Sequence, residues 1–278
     1  MKLKSKHIIK TIIITVIVMF LALLCFFPFY WMINTSFKSA NEIANGSISF
    51  WPLEFTFDNY KDAFTKDNLL LAYVNSLIIG LTTTFGTLFT SSLAAFAFAK
   101  LKFKLNKPLY GIIIATLMIP GIVTLLPSYM LYNWLGWLDI WDGFLTVIVP
   151  GIFINSYGIF MMRSFIVSIP DELLEASEID GCGFFKQYVR IILPLIKPAL
   201  ITLGLFTFIG SWNNYMGQLL LLDPEVYTIP MYIQTFRTET GDFGPIMAAS
   251  AVSIVPIAII YLRCQKYFVQ GIATTGMK

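Results

Sequence analysis

The chain carries one compact acidic segment, Leu173-Leu174-Glu175-Ala176-Ser177-Glu178-Ile179-Asp180-Gly181, between two long apolar stretches. Positions 171 to 180 hold five acidic residues and no Lys or Arg. An acidic face is repelled by anionic lipid headgroups, whereas a helix that rests on the membrane surface carries a basic polar face. The segment is therefore predicted to be a helix that a membrane protein presents to a partner outside the bilayer.

The flanking residues predict two short helices joined by a turn. Ser168 is placed to cap the first helix, and Pro170 suits a first helical turn. Gly181 and Gly183 allow the chain to reverse, because glycine adopts left-handed backbone angles at little cost. The second helix is expected to return toward the membrane and to end near Pro194.

The hydrophobic composition sets the rest of the fold. Of the 278 residues, 57% are hydrophobic and 13% are charged, which lies outside the range of soluble globular proteins. A helix needs roughly 20 apolar residues to cross a hydrocarbon core of about 30 Å, and lipid offers no hydrogen-bond partner to open backbone. The predicted fold class is all-α, a polytopic membrane protein with six transmembrane helices near residues 11–33, 70–98, 108–132, 143–163, 199–221 and 245–264.

The distribution of Lys and Arg predicts the orientation, because basic residues collect on the cytoplasmic side of a membrane. With a cytoplasmic N-terminus, all of the 19 Lys and Arg residues lie on the cytoplasmic side except Lys38, Lys61, Lys66 and Arg237. Both termini and the acidic segment are therefore predicted to be cytoplasmic. The net charge of +3 follows from this topology and is no sign of nucleic-acid binding.

Charged side chains are missing from the interior of every predicted span, where Arg163 and Arg263 occur only at the ends. Ion-coupled carriers usually keep an ionisable residue within the membrane, despite a cost of about 2.5–3.5 kcal/mol. The one histidine, His7, lies in the N-terminal tail, and the sequence contains neither a zinc-protease nor a phosphate-binding motif. We therefore predict no catalytic residue, no cofactor and no metal in this chain. A chain of this kind that moved a solute would draw its energy from another chain.

The polar side chains inside the spans are neutral amides, hydroxyls and aromatic rings. The path of a neutral, hydroxyl-rich solute favours such groups over fixed charges. The alternative is that they make hydrogen bonds between helices, typically worth under about 1 kcal/mol each. On a continuous helix, Trp212 and Tyr215 would share one face. The candidate path residues are Asn155, Tyr157, Trp212, Asn213, Asn214 and Tyr215.

The acidic segment resembles the coupling helix of ABC importer permeases, whose pattern is Glu-Ala-Ala, three residues, Gly, nine residues, then Ile-x-Leu-Pro. Ser177 replaces the second Ala of the pattern. Asn214 and Gln218 also depart from the family, which usually has an acidic residue and a proline at these positions. The residues that fit the pattern are Glu175, Ala176, Gly181, Ile191, Leu193 and Pro194.

Other segments are similar to landmarks of carbohydrate permeases of the maltose type. They include Pro28-Phe29-Tyr30-Trp31, Phe57-Asp58-Asn59-Tyr60, Gly210-Ser211-Trp212-Asn213 and Phe268-Val269-Gln270-Gly271. The resemblance covers nearly the whole chain. It implies the ABC importer permease fold, as a single permease domain over residues 1–278 with a core at about 70–265 and a coupling segment at 168–194, in a bacterial inner membrane.

The function that the resemblance implies is that of a permease subunit in an ATP-driven, binding-protein-dependent oligosaccharide importer. The expected partners are a homologous second permease, an ABC ATPase dimer that binds ATP and Mg, and an extracellular solute-binding protein. The residues implied in coupling to the ATPase are Leu173, Leu174, Glu175, Ala176, Ser177, Asp180 and Gly181.

Three other functions stay open at this point. The chain is alternatively an ion-coupled secondary carrier that works alone, an ABC permease for a non-sugar or glycerol-phosphate-like solute, or a non-transporting assembly protein. The sequence does not specify which sugar is carried, because specificity also resides in the binding protein and the second permease.

Overall fold

The chain is almost entirely helical, as predicted. The computed structural model describes residues 2–46, 48–65, 69–153, 155–239 and 242–275. Lys66 and Lys278, two of the basic residues used to predict the orientation, lie outside these ranges.

The residues group into two compact units. One comprises residues 1–69 with 233–255, and the other residues 70–232 with 256–278. The organisation as a single domain stays a prediction.

The first unit contains α1 (Lys2–Ser36), α2 (Ala40–Ala44) and α3 (Asp58–Thr65). The second contains α4 (Leu69–Lys100), α5 (Asn106–Thr116), α6 (Gly121–Trp134), a 3-10 turn (Trp141–Gly143), α7 (Phe144–Phe153), α8 (Ser156–Val167), α9 (Glu172–Ile179), α10 (Phe184–Gln187), a π-helix (Tyr188–Ile192), α11 (Leu193–Leu195), α12 (Lys197–Trp212) and α13 (Tyr215–Leu221). Of the described helices, three have residues in both units: α4, through Leu69, α14 (Ile229–Glu239) and α15 (Phe243–Thr275).

Among the described residues, four helical stretches are long and apolar enough to cross a membrane, namely Ile8–Ser36, Leu69–Lys100, Trp141–Val167 and Phe243–Lys266. The count rises to six when each of two bent helix pairs is taken as one span. In one pair α5 and α6 enclose a bend of 103°, and in the other Phe184–Leu195 and α12 enclose a bend of 80°. The prediction of six spans agrees with this upper count.

Several spans are not the straight helices that the sequence predicts. The bend between α5 and α6 lies at Pro120, whose ring restricts the preceding residue and which lacks a backbone N–H. The prediction of one continuous helix over 199–221 is wrong, because α12 ends at Trp212 and α13 begins at Tyr215. A similar interruption separates α7 from α8. Two of the predicted spans therefore contain non-helical backbone, which a bilayer tolerates where that backbone lines a cavity or is buried in protein.

In the second unit, a buried core forms where the segment after α9 packs on its neighbours. Tyr188, Ile192 and Ile196 are almost fully buried there, against Phe96 of α4 and Met162 of α8. Burying side chains of this size stabilises a fold by about 1.5–3 kcal/mol each in water. The acidic segment is therefore fixed to the membrane helices by an apolar core.

In the first unit, the connection after α1 is ordered by a buried polar group. Lys38 is 2% exposed and Glu42 is 6% exposed. The Lys38 ammonium lies 3.7 Å from a Glu42 carboxylate oxygen, donates to the Ser49 carbonyl at 2.9 Å and lies 4.7 Å from the centre of the Trp31 ring. Leu53 donates its backbone N–H to Glu42 at 2.9 Å. A buried charge needs such partners.

Candidate coupling surface and translocation cavity

The acidic helix forms where the sequence predicts it, with a different start. α9 covers Glu172–Ile179, and the residue at its N-cap is Asp171, whose side chain makes no capping hydrogen bond. Ser168 instead ends α8 and donates its hydroxyl to the Phe165 carbonyl at 2.7 Å. The prediction of Ser168 as the N-cap of the acidic helix is wrong, because three residues separate it from the start of α9.

The end of α9 is a Schellman motif built on Gly181. Gly181 has a φ of +76°, and its N–H bonds the Glu178 carbonyl at 2.9 Å. The N–H of Cys182 bonds the Ser177 carbonyl at 2.9 Å. These two bonds satisfy carbonyls that would otherwise lack partners at a helix end. Gly181 therefore makes the turn that the sequence predicts.

Gly183 does not share in the turn. Its φ of −73° and ψ of 164° are extended backbone at the start of α10. The following helix changes to a π-helix over Tyr188–Ile192 and ends at Leu195, one residue past Pro194. The predicted reversal at Gly183 is thus wrong, whereas the predicted helix end near Pro194 is confirmed.

Two of the predicted coupling residues face inward. Leu174 is 8% exposed and Ser177 is 7% exposed. The amide nitrogen of Gln187, itself 2% exposed, donates to the Leu174 carbonyl at 3.1 Å and lies 3.0 Å from the Ser177 hydroxyl oxygen. Both amide hydrogens of Gln187 therefore have acceptors on α9. These contacts join α9 and α10 into one rigid piece.

The other predicted coupling residues face outward. Leu173 is 46% exposed, and Glu175, Ala176 and Asp180 are exposed as well. Ile179, which is not among the predicted coupling residues, lies beside them and is 89% exposed. Two large apolar side chains of this short acidic helix, those of Leu173 and Ile179, are thus exposed on its surface. We call these five residues the docking face.

A lysine of α4 holds the entry to this segment. Lys100 has a side chain that is 6% exposed, and its ammonium lies 2.6 Å from the Asp171 carboxylate. The same ammonium donates to the Ile169 carbonyl. The hydrogen bond from Lys100, together with its charge, lowers the pKa of Asp171 below its usual value. The two contacts tether the start of α9 to the end of α4.

A cavity of about 520 Å³ lies between this contact and α10. Its wall includes basic residues at or just after the end of α4 and acidic residues in or just before α9. The charged residues that line it are Lys100, Lys102, Asp171, Glu175 and Glu178.

A second cavity, of about 340 Å³, lies where the two broken spans meet α4. It contains three of the six predicted path residues, Asn155, Tyr157 and Asn214. All of the described residues that line it are uncharged. The remaining lining residues are Thr83, Val147, Gly151, Leu203, Phe206, Thr207, Gly210 and Ser211.

The two asparagines of this cavity have the same structural role. Asn155 accepts the Gly158 N–H with its side-chain oxygen at 2.7 Å and so caps α8. Asn214 accepts the Gly217 N–H at 3.1 Å and caps α13. Asparagine is among the best N-cap residues because its oxygen satisfies a free N–H of the first turn. Each break in a span thus places a capping amide at the wall of the cavity.

The other three predicted path residues do not line this cavity. Trp212 is 2% exposed and packs on Phe208 and Tyr73, with ring centres 5.5 and 5.4 Å apart. Tyr215 packs against the buried cluster around Phe144. Asn213 is exposed at the break. The expectation that Trp212 and Tyr215 share a helical face is wrong because α12 ends at Trp212 and α13 begins only at Tyr215.

Sequence reasoning missed several residues of both sites. Gln187 and Lys100 carry no signal of their own in the sequence, because their partners lie 10 to 71 positions away. Thr83 and Thr207 lie in apolar runs where a single hydroxyl is unremarkable. The asparagines at the breaks do carry a signal, since asparagine favours helix starts over helix interiors.

Comparison with known proteins agrees with this architecture. Residues 86–274 match the family described as "Binding-protein-dependent transport system inner membrane component". The chain is 31% identical to the arabinooligosaccharides transport system permease protein AraQ of Bacillus subtilis, over 96% of this chain and 95% of that protein. It is 30% identical to the melibiose/raffinose/stachyose import permease protein MelC of the same organism, over 96% of each.

A solved structure also shows the same fold. The crystal structure of a bacterial ABC transporter involved in alginate import contains a chain that superposes with a TM-score of 0.82. The two chains are 24% identical, and the match covers 94% of this chain and 96% of the other. The family match and the shared fold both agree with the several apolar helices described above, which are long enough to cross a membrane. This chain therefore belongs to the binding-protein-dependent transport system inner membrane components, the permease subunits of ABC importers.

Proposed function

We propose that this chain is the membrane-spanning subunit of an ATP-driven oligosaccharide importer. The observation that carries the proposal is the 340 Å³ cavity, whose described lining is uncharged and includes amides, hydroxyls and aromatic rings, placed where two spans are broken. Amides and hydroxyls can exchange hydrogen bonds with sugar hydroxyls, and a ring such as that of Tyr157 can pack on a sugar face. The names of AraQ and MelC support the oligosaccharide class.

The cavity favours this solute class over the alternatives. An anionic solute such as a glycerol phosphate would need a cationic partner in a site of low dielectric, and the described lining residues supply none. An ion-coupled carrier would need an ionisable group on the path. The sugar permease is therefore the function that this wall supports best.

The energy input is proposed to enter at the docking face. Its exposed Leu173 and Ile179 can insert into an apolar groove of a partner, while Glu175 and Asp180 offer charges to its rim. The proposed partner is an ABC ATPase dimer that holds ATP and Mg. A homologous second permease would form the other half of the path, and an extracellular solute-binding protein would deliver the sugar.

Uptake into proteoliposomes that contain the chain with its partner subunits tests the proposal. We expect uptake of a labelled oligosaccharide to require ATP on the coupling side, to stop with vanadate and to persist when ionophores collapse the ion gradients. Uptake that ignores vanadate and stops with an ionophore would instead establish the secondary carrier. A deletion strain with all its sugar uptake intact would favour the assembly role.

The proposed orientation has both termini and α9 on the cytoplasmic side. We expect a cysteine at Glu225, introduced into a cysteine-free background, to react with an impermeant reagent added outside sealed vesicles. A cysteine at Lys104 should react only after the membrane is permeabilised. Both positions are exposed in the structure, so protection reports the membrane and not burial. Labelling of position 104 from outside would reverse the assignment.

A further inference from the structure

The buried hydroxyl of Tyr188 links the coupling segment to α4. Tyr188 is 1% exposed, and its hydroxyl oxygen lies 2.7 Å from that of Ser92, which is fully buried. The Ser92 hydroxyl donates to the Leu88 carbonyl within α4. Since serine has one hydroxyl hydrogen, Tyr188 is the donor of the bond between the helices. The Tyr188 ring packs beside the ring of Phe96, which also belongs to α4, with ring centres 5.8 Å apart.

α4 is held by the coupling segment at a second place. Lys100, eight positions after Ser92, bonds Ile169 and Asp171 at the entry to α9. Eight residues correspond to about 12 Å along a helix. Two contacts that far apart on one helix resist tilting as well as sliding, so α4 must follow when the segment moves as a body. The Gln187 contacts to α9 make the segment such a body.

A part of α4 nearer to its N-terminus contacts the 340 Å³ cavity. Thr83 lines it, and Thr87 donates its hydroxyl to the Gly151 carbonyl of α7 at 2.7 Å. Gly151 fits so closely that an added Cβ would lie 2.5 Å from a carbon of Thr83. α7 ends directly before the break that holds Asn155. One continuous helix therefore contacts the coupling segment at one end and the wall of the cavity further along.

We propose that α4 transmits the movement of the coupling segment to the cavity, and that Tyr188 and Ser92 are the positioning pair at the point of transfer. The inference rests on the proposed function. Tyr188 begins the π-helix, a helical form that is found often at functional sites and at kinks. The hydrogen bond between Tyr188 and Ser92 makes α4 move with the coupling segment. Without this bond, the π-helix would absorb the displacement.

The test is Tyr188→Phe in the complex with its partner subunits, because the change removes the hydroxyl and keeps the ring. Ser92 keeps its bond to Leu88, so no buried donor loses its acceptor. We expect the ratio of sugar transported to ATP hydrolysed to fall by about five-fold or more, a typical allosteric coupling. The yield of complex and its melting temperature should equal those of the wild type. Tyr110→Phe is the matched control, since the described contacts of Tyr110 are made by its ring.

Ser92→Ala breaks the same bond from the other helix and should lower the same ratio. In the double variant the two effects should not add, because both remove one interaction. A wild-type ratio in Tyr188→Phe overturns the proposal, and so does a loss of transport, hydrolysis and melting temperature together, which would assign the pair to packing alone. If the wild-type complex itself shows no ATP-dependent uptake, the proposed function fails first.

Discussion

Replacing Gly181 with valine is expected to abolish sugar transport and sugar-stimulated ATP hydrolysis while the complex still assembles. Gly181 has a φ of +76°, which a β-branched residue adopts only at a cost of about 1–3 kcal/mol. No atom lies within 4 Å of a Cβ added there, so the effect comes from the backbone alone. Relieving the strain breaks the Schellman motif and moves the docking face. Rates of transport and hydrolysis per assembled complex measure the outcome.

Gly183→Val is the matched control for this change. Gly183 also has no atom within 4 Å of an added Cβ, yet its φ is negative. The complex with Gly183→Val should therefore transport sugar at close to the wild-type rate. Gly181→Asn should retain much of the activity, because asparagine tolerates left-handed angles far better than valine does. Equal loss in both valine variants would show that bulk, and not the turn, disturbs docking.

Replacing Gly210 with tryptophan is expected to block the translocation path. Gly210 lies in α12 and lines the 340 Å³ cavity, and no atom lies within 4 Å of an added Cβ. A tryptophan can therefore enter the cavity without displacing a neighbour at its Cβ, and it fills much of the space. Transport per complex should fall about ten-fold or more, which corresponds to about 1.4 kcal/mol. Alanine and leucine at the same position should give graded losses.

Gly111 provides the control for size. It lies in α5, has no atom within 4 Å of an added Cβ and does not line the cavity. Gly111→Trp should keep wild-type transport per assembled complex. If Gly210→Trp transports normally, the cavity is not on the path of the sugar. If both tryptophan variants fail to assemble, graded transport in the Gly210→Ala and Gly210→Leu complexes still decides the question.

The membrane spans could be predicted because lipid imposes a simple rule on composition. A run of about 20 apolar residues must be helical in a bilayer, whatever its neighbours are. The turn at Gly181 was equally predictable, because the local sequence is sufficient to form a Schellman motif. Both features depend on residues that are close together in the chain.

The interruptions of the spans could not be found from hydropathy, which averages over about 20 positions and passes over a two-residue break. The expectation that Trp212 and Tyr215 share one helical face is wrong for this reason. The prediction assumed a helix that continued through Asn213, and it therefore assigned Trp212 and Tyr215 to one face. The contacts of Gln187 and Tyr188 depend on tertiary packing, which a single sequence does not reveal.

The capping role of Asn214 decides which half of its amide is left for a solute. The oxygen already accepts the Gly217 N–H at 3.1 Å, and Asn155 uses its oxygen in the same way. Each asparagine thus turns its acceptor to the backbone and keeps two N–H donors. An acidic residue, usual in the family at this position, would preserve the cap but offer a solute only acceptors and a charge. With asparagine, the wall can donate hydrogen bonds to the ring and glycosidic oxygens of a neutral sugar.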